Sequence, residues 1–331
     1  MEKYLVTGAA GFIGSQLLNR LKTRSAIARG IDNYNDHLYS PQLKSDRAHH
    51  FDIDVRNIDL RNERELEKVI VAYRPTTIIH LAAHAGVRDS FGKEKQYHSN
   101  NIDATQNLID LCKKHIPNVR IIYASTSCVF AGSELPWTEG KETGKQLNPY
   151  GWTKWVNECQ FQSSGLHNIG LRFFTVYGPW GRPDMALFKF TKGIIEGKPI
   201  DVFNYGNHKR DFTYIDDIVE GVIRVIDNPA RPNKNWQPTN PEPDSSDSPY
   251  RIYNIGNSNP VELMQYIKAI EISLGKEAIK NFLPLQQGDV PDTYADTSEI
   301  ENDLKYKPSM KVELGVKNFV DWYLDFYNIN K

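Results

Sequence analysis

The chain has 331 residues, with 40 Lys and Arg against 41 Asp and Glu and a formal net charge of -1. That balance argues against nucleic acid or an anionic membrane as a partner, and the length suffices for a substantial core in one large or two modest domains. Three scattered cysteines (Cys112, Cys128, Cys159), without a C-x-x-C pair or histidines at metal-ligand spacing, predict a reduced chain with no disulfide framework and no metal site. No apolar run reaches the roughly 18 residues of a membrane span, and strand-like "YLVTG" follows Met1 almost at once, so the expectation is a soluble, cytoplasmic protein without a signal peptide.

In chain order, residues 3–8 form a short apolar run ending in Gly, and "FIGSQLLNRLKT" follows with apolar residues at helical spacing. A second run, "IARGID", closes a β-α-β unit at Asp32. The pattern repeats: a helix over 62–73, the strand "TTIIHLAA", a helix over 97–115 and the strand "RIIYAST". Then come a helix on "YGWTKWVNECQFQ" and the strand "GLRFFTVYGP". Alternating strands and helices predict an α/β fold with a Rossmann-type, doubly wound parallel sheet. Segment 179–212, rich in Gly, Pro, Arg and aromatics, reads as a binding surface, and a helix over 215–227 returns to the sheet. The stretch 227–249 is dense in Pro, Asn, Asp and Ser and reads as an exposed loop; the last ~80 residues mix two or three helices with short strands. The domains expected are 1–177, rejoined by 211–256, for a dinucleotide, and a smaller mixed α/β unit of 178–210 and 257–331 for substrate.

Gly8, Gly11 and Gly14 lie three apart between the first strand and the first helix, where a backbone without Cβ atoms can approach a pyrophosphate over a helix N-terminus. Asp32 ends the second strand, where a carboxylate accepts from both ribose hydroxyls and repels a 2′-phosphate, so the cofactor predicted is NAD rather than NADP. Tyr150 and Lys154 stand one helical turn apart in "NPYGWTK". A lysine at that distance, with a positive nicotinamide ring, lowers the pKa of a phenol, which then takes a proton from a sugar hydroxyl while the carbon beneath gives up hydride. Thr126 ends "RIIYAST" at the carboxyl edge of the sheet, where its hydroxyl can relay that proton. His80, at a strand end, reads as a hydrogen-bonded terminus rather than a catalyst, and His49 and His50 as surface residues.

With these residues in place, the whole chain resembles the extended short-chain dehydrogenase/reductases, most closely the UDP-glucuronate 4-epimerases. The likeness is sharpest over 170–218, which contains "PWGRPDMALFKF", and continues in "RIYNIGNSNPVELMQYI" and "FLPLQQGDV". It implies that Tyr150 deprotonates the sugar 4-hydroxyl, that a 4-keto sugar turns over in the pocket, and that the same hydride returns to its opposite face. It also implies that Gly8, Gly11, Phe12, Ile13, Asp32, Asn33, Asp59, Leu60, Leu81, Ala82, Ala83, Asn101, Tyr150 and Lys154 surround NAD. Arg88, Thr175, Arg182, Val202, Asn204, Arg210 and Asp289 would meet the UDP-sugar, where a guanidinium suits pyrophosphate or carboxylate.

Two departures stand out. "STSCVFAG" replaces the family's run of serines followed by Val-Tyr-Gly, so a thiol stands at Cys128 where a hydroxyl would face the sugar carboxylate. The expectation is that Ser127, Thr175 and backbone N–H groups hold that carboxylate, with Cys128 a bystander. The helix after Tyr150 is also about one turn short, and with the helix over 97–115 it normally builds a homodimer. UDP-glucose 4,6-dehydratases carry Asp-Glu in place of Ser127-Cys128, and UDP-glucuronate decarboxylases carry Glu in place of Cys128, so both lack their key acid here. A 4-epimerase of another UDP-sugar, neutral or N-acetylated, stays open, as does a non-catalytic NAD-binding scaffold.

Overall fold

The computed structural model describes residues 2–24, 27–141, 143 and 145–329. The outer limits of the two expected domains, 1 and 331, lie outside the described residues.

Six strands of the first half, β1 (Lys3–Thr7), β2 (Ile27–Asp32), β3 (Val55–Asn57), β4 (Thr77–His80), β5 (Arg120–Thr126) and β6 (His167–Phe173), are joined by a late strand, Tyr250–Ile255. Together they form one seven-stranded sheet, and every pairing in it is parallel. The expected doubly wound sheet is therefore present.

Helices cover both faces, and β1 shows why. Tyr4 and Val6 point into the layer of α1 (Phe12–Lys22), whereas Leu5 points into the layer of α3 (Glu63–Tyr73). A strand buried on both sides must be apolar throughout, which "YLV" is. From β1 the chain winds outward to β2 and β3, then returns to β4 and winds the other way. The reversal puts the carboxyl ends of β1 and β4 side by side, the place where open α/β sheets bind ligands.

Besides the short strand β3, which the sequence reading lacks, three elements differ from it. A helix absent from it, α2 (Pro41–His50), starts on Ser40, whose hydroxyl accepts from Gln42 N, with Pro41 in the first turn. His49 and His50 are exposed on it, as expected. The helix expected over 97–115 is three pieces: α4 (Glu94–Tyr97), a π-helical stretch (His98–Asp103) and α5 (Ala104–His115). The strand expected over 170–179 divides at Phe174. Residues before it stay in the large sheet, while β7 (Thr175–Tyr177) pairs with Lys209–Tyr214 in a separate three-stranded sheet. Phe174 marks the crossing because its ring leaves the main sheet to pack with Phe130 and Trp137.

The remaining strands are β8 (Ile200–Val202), β9 (Lys209–Tyr214), β10 (Tyr250–Ile255), β11 (Pro260–Glu262) and β12 (Lys280–Phe282). The helices are α6 (Pro149–Ser163), α7 (Ala186–Ile195), α8 (Ile215–Asp227), α9 (Leu263–Leu274), α10 (Ser298–Leu304) and α11 (Val312–Phe326). Among the described residues no helix is long and apolar enough to cross a membrane.

Candidate active site

One cavity of about 1200 Å³ lies across the carboxyl ends of β1, β4 and β5 and reaches the small sheets. Its cofactor side begins at the glycine loop. Gly8 has φ +68, and a Cβ there would sit 2.8 Å from Ala82 N. At Gly14 a Cβ would meet Gly8 O at 2.2 Å, so helix α1 can close on the loop only if that position is Gly. Gly11 caps α1 without a side-chain acceptor, and no acidic residue stands in its first turn. Gly11 N donates to Gly8 O at 3.0 Å, so the first-turn N–H groups of Phe12 and Ile13 are the ones that open on the cavity and suit a pyrophosphate.

Asp32 is 7% exposed. Its oxygens accept from Ala10 N (3.1 Å) and Tyr34 N (2.8 Å), which aims the remaining lone pairs into the cavity for ribose hydroxyls. Asn33 donates to Asp59 at 3.1 Å, and Arg61 grips Asp59 at 3.0 and 2.6 Å. The Arg61 hydrogen bonds hold the Asp59 carboxyl down at about 2. Leu60, Leu81, Ala82 and Ala83 complete this wall. The residues present therefore fit a dinucleotide with a free 2′-hydroxyl.

Thr126, Tyr150 and Lys154 meet at the centre, and all three line the cavity. Asn148 caps α6 by accepting from Gly151 N at 2.7 Å, with Pro149 in the first turn, and this fixes where the helix begins and so where Tyr150 points. Thr126 Oγ1 accepts from Cys128 N at 3.2 Å, and this hydroxyl stands near enough to the Tyr150 phenol to favour its ionised form.

Lys154 sits one turn on, 2% exposed, with its ammonium on Asn157 Oδ1 at 3.0 Å. Burial lowers this lysine to about 8 against the opposing pull of Glu158. Burial pushes the Tyr150 phenol up to about 12. Cys128 adds to the rise, and Arg182 and Thr126 oppose it. A proton-accepting Tyr150 therefore needs the positive charge of a bound oxidised dinucleotide as well as Lys154.

The substrate side is built from cations that already have partners. Arg88 pairs with Asp289 at 2.7 Å and lies 4.4 Å from the Phe203 ring centroid. Arg182 grips Asp184 at 3.0 and 2.6 Å. Arg210 donates to Val290 O (2.8 Å) and Pro291 O (2.6 Å). Thr175, Ser127 and Cys128 line the cavity between these groups and Tyr150. Burial raises the Cys128 thiol, so it is neutral near pH 7.

Three residues carried over by likeness do not line the cavity. Asn101 is 1% exposed, and its amide is used up clamping the backbone of His84 (2.7 and 3.0 Å) and Thr153 Oγ1 (2.9 Å). Val202, the last residue of β8, is fully buried in the core. Asn204 turns its amide onto Asn207 O at 2.6 Å, from a backbone with φ +50.

Other residues line the cavity without having been singled out. Lys44 Nζ lies 3.7 Å from Asp32 Oδ1, a second charge on the ribose side. His37 stacks on His84 with ring centroids 3.9 Å apart and meets Asp89 at 2.9 Å. Ser-Pro at 40–41 is the sequence signal for the helix that brings in Lys44; no local pattern pairs His37 with His84. His80 bonds Thr7 (2.8 Å) and Thr105 (3.1 Å), and burial lowers it to about 3, which makes it the neutral, hydrogen-bonded strand terminus expected. Among the described residues no group of three or more His, Cys, Asp or Glu side chains is placed to hold a metal ion.

A glycine-cradled dinucleotide cavity with a Thr-Tyr-Lys centre defines a nucleotide-dependent oxidoreductive enzyme of the short-chain type. Residues 4–256 match the NAD dependent epimerase/dehydratase family, and the chain belongs to it. It is 46% identical over 333 residues to Protein CapI of Staphylococcus aureus, covering 98% of this chain and 99% of that one. It is 39% identical to UDP-glucuronate 4-epimerase 1 of Arabidopsis thaliana, covering 98% of this chain and 77% of that one. Among solved structures, the UDP-glucuronic acid 4-epimerase of Bacillus cereus in complex with UDP-glucuronic acid and NAD is similar at a TM-score of 0.86. The two share 33% identity, over 98% of this chain and 100% of that one.

Proposed function

We propose that this protein is an NAD-dependent UDP-sugar 4-epimerase that interconverts UDP-glucuronate and UDP-galacturonate. The observation that carries the reading is the convergence of Thr126, Tyr150 and Lys154 on a cavity with the glycine loop at one end and Arg88, Arg182 and Arg210 at the other. Bound NAD supplies the hydride acceptor and, once reduced, the donor for the return. Tyr150 takes the proton of the sugar 4-hydroxyl, Thr126 bridges it to the substrate oxygen, and Lys154 holds positive charge one turn away. In the second half Tyr150 returns the proton to the 4-keto oxygen from the other face.

No carboxylic acid stands at Ser127 or Cys128 to divert the keto sugar into dehydration or decarboxylation. Arg182 and Arg210 suit the UDP pyrophosphate, and Ser127, Thr175 and nearby N–H groups suit the uronate. In this reading 1–177 with 211–256 holds the cofactor and 178–210 with 257–331 holds the UDP-sugar. The enzyme works in the cytoplasm as a homodimer through α6 and the helical segment 94–115, where Trp152 is 38% exposed.

Incubation with UDP-glucuronate and separation of the products tests the proposal. UDP-galacturonate is the expected product; a UDP-pentose would make the enzyme a decarboxylase, and no turnover of UDP-glucuronate would move the assignment to another UDP-sugar.

A further inference from the structure

Among the described residues two arginines are completely buried, and they are satisfied differently. Arg172 has a carboxylate partner, Glu158, which it grips at 2.9 Å through two nitrogens. Arg47, on α2, makes five hydrogen bonds, none of them to a carboxylate. It donates to Trp180 O at 3.0 and 2.8 Å, Gly181 O at 3.2 Å, Ala10 O at 3.3 Å and Tyr39 Oη at 2.9 Å. A buried guanidinium that spends its whole fork on three carbonyls and a phenol fixes backbone to backbone.

The segments it joins belong to opposite sides of the cavity. Ala10 is in the glycine loop, and its own N–H bonds Asp32. Trp180 and Gly181 form the turn directly before Arg182. That turn is unusual: Trp180 has φ +64, a left-handed backbone that bulky L-residues rarely adopt. Arg47 takes the carbonyl of this residue twice. The Trp180 ring is held independently, 4.7 Å from His50, 5.2 Å from Trp322 and 4.8 Å from Phe326 between ring centroids. Gln16 of α1 adds a bond to Pro179 O at 3.0 Å.

We infer that Arg47 is a positioning residue: it locks the turn presenting Arg182 onto the glycine loop, so the sugar-nucleotide end of the cavity is set against the cofactor end. The inference rests on the reading of Arg182 as a ligand to the UDP-sugar. Because Arg47 acts through Arg182, its removal costs sugar-nucleotide affinity only while Arg182 is present. A lysine there keeps the charge but cannot reach Ala10, Trp180 and Gly181 together.

The test is a double-mutant cycle on the NAD-loaded protein, with UDP binding measured by calorimetry and amide hydrogen exchange measured alongside. Arg47→Met is expected to weaken UDP about tenfold, as a displaced binding group does, and to have under about a twofold effect in an Arg182→Met background. Arg47→Lys, which leaves no buried fork of carbonyls wholly unpaired, is expected to lie between and serves if Arg47→Met does not fold. In either variant, exchange over 8–14 and 178–186 should accelerate together while the amides of β5 and β6 keep their protection. Equal losses in both backgrounds, or acceleration in one segment alone, would overturn the inference. Failure of the unaltered protein to bind UDP would instead sink the sugar-nucleotide reading, and the exchange data would still decide whether Arg47 joins the two loops.

Discussion

The two ends of the cavity are made in opposite ways. The cofactor end is a set of strand termini and one helix N-terminus, and the first turn of that helix has no side-chain cap. The substrate end is irregular: Gly178 and Trp180, in the turn before Arg182, have positive φ, and its arginines are already engaged by Asp184, Asp289 and backbone carbonyls. One end is shaped in advance for an anion, while the other must exchange internal partners for a ligand's. Binding at the substrate end should therefore tolerate change in any single pair better than the cofactor end tolerates a misplaced methyl group.

The largest effect belongs to the centre that both ends share. On the proposed mechanism Tyr150→Phe removes the proton acceptor and should lower kcat by about a thousandfold, in the range of lost general acid–base catalysis, with UDP binding little changed. Equal loss of UDP affinity would place Tyr150 in binding rather than in chemistry.

The next breaks the cofactor end. Gly14→Ala puts a Cβ 2.2 Å from Gly8 O, in a helix that cannot yield without opening the loop. It should cost about 3 kcal/mol in denaturant unfolding, as a severe backbone clash does, and release NAD on gel filtration. At the substrate end, Arg182→Met should raise KM for the UDP-sugar about tenfold while kcat falls less, because Asp184 is left without a partner but the centre is intact. If Gly14→Ala proved milder than Arg182→Met, the contrast between a preformed and an exchanging end would be wrong.

How much of this could be read from residues alone follows the same contrast. The glycine spacing, Asp32 at a strand end and the Tyr150–Lys154 turn are local patterns, and each lands on the cavity as its periodicity predicts. The substrate end was reached through likeness to known sequences, because Arg88 meets Asp289 across 201 residues and no spacing encodes that. Likeness also carried over Asn101 and Val202, which burial keeps from the cavity surface. The α2 helix is illegible in the sequence for another reason. Its face is mostly polar, so periodicity was silent, and only Ser40–Pro41 marked it. The high phenol pKa of Tyr150 was not legible either, since desolvation depends on packing that a motif does not contain.

Two smaller effects sharpen the picture. His80 and His84 are both lowered by burial to about 3. With folded pKa values depressed, their stability contribution is complete above the unfolded value near 6.5. It is lost as pH falls toward 3, by up to about 1.4 kcal/mol per pH unit for each proton taken up only by the unfolded chain. The unfolding midpoint should therefore drop below pH 6.5, and His80→Asn should flatten that slope. An unchanged slope would mean that His80 is protonated in the folded protein.

The smallest effect expected is that of Cys128→Ser, about a twofold change in KM, since Ser127 and Thr175 line the same wall. A large rise in the ratio of epimerised to decarboxylated product would make Cys128 a determinant of product fate rather than a bystander.

The central claim is that the hydride removed from C4 is the one returned to it. UDP-glucuronate carrying deuterium at C4, turned over by the NAD-loaded protein in ordinary water, tests this directly. The account predicts UDP-galacturonate that retains the deuterium at C4. Product with the label washed out to solvent, or labelled pentose with loss of CO₂, would contradict it.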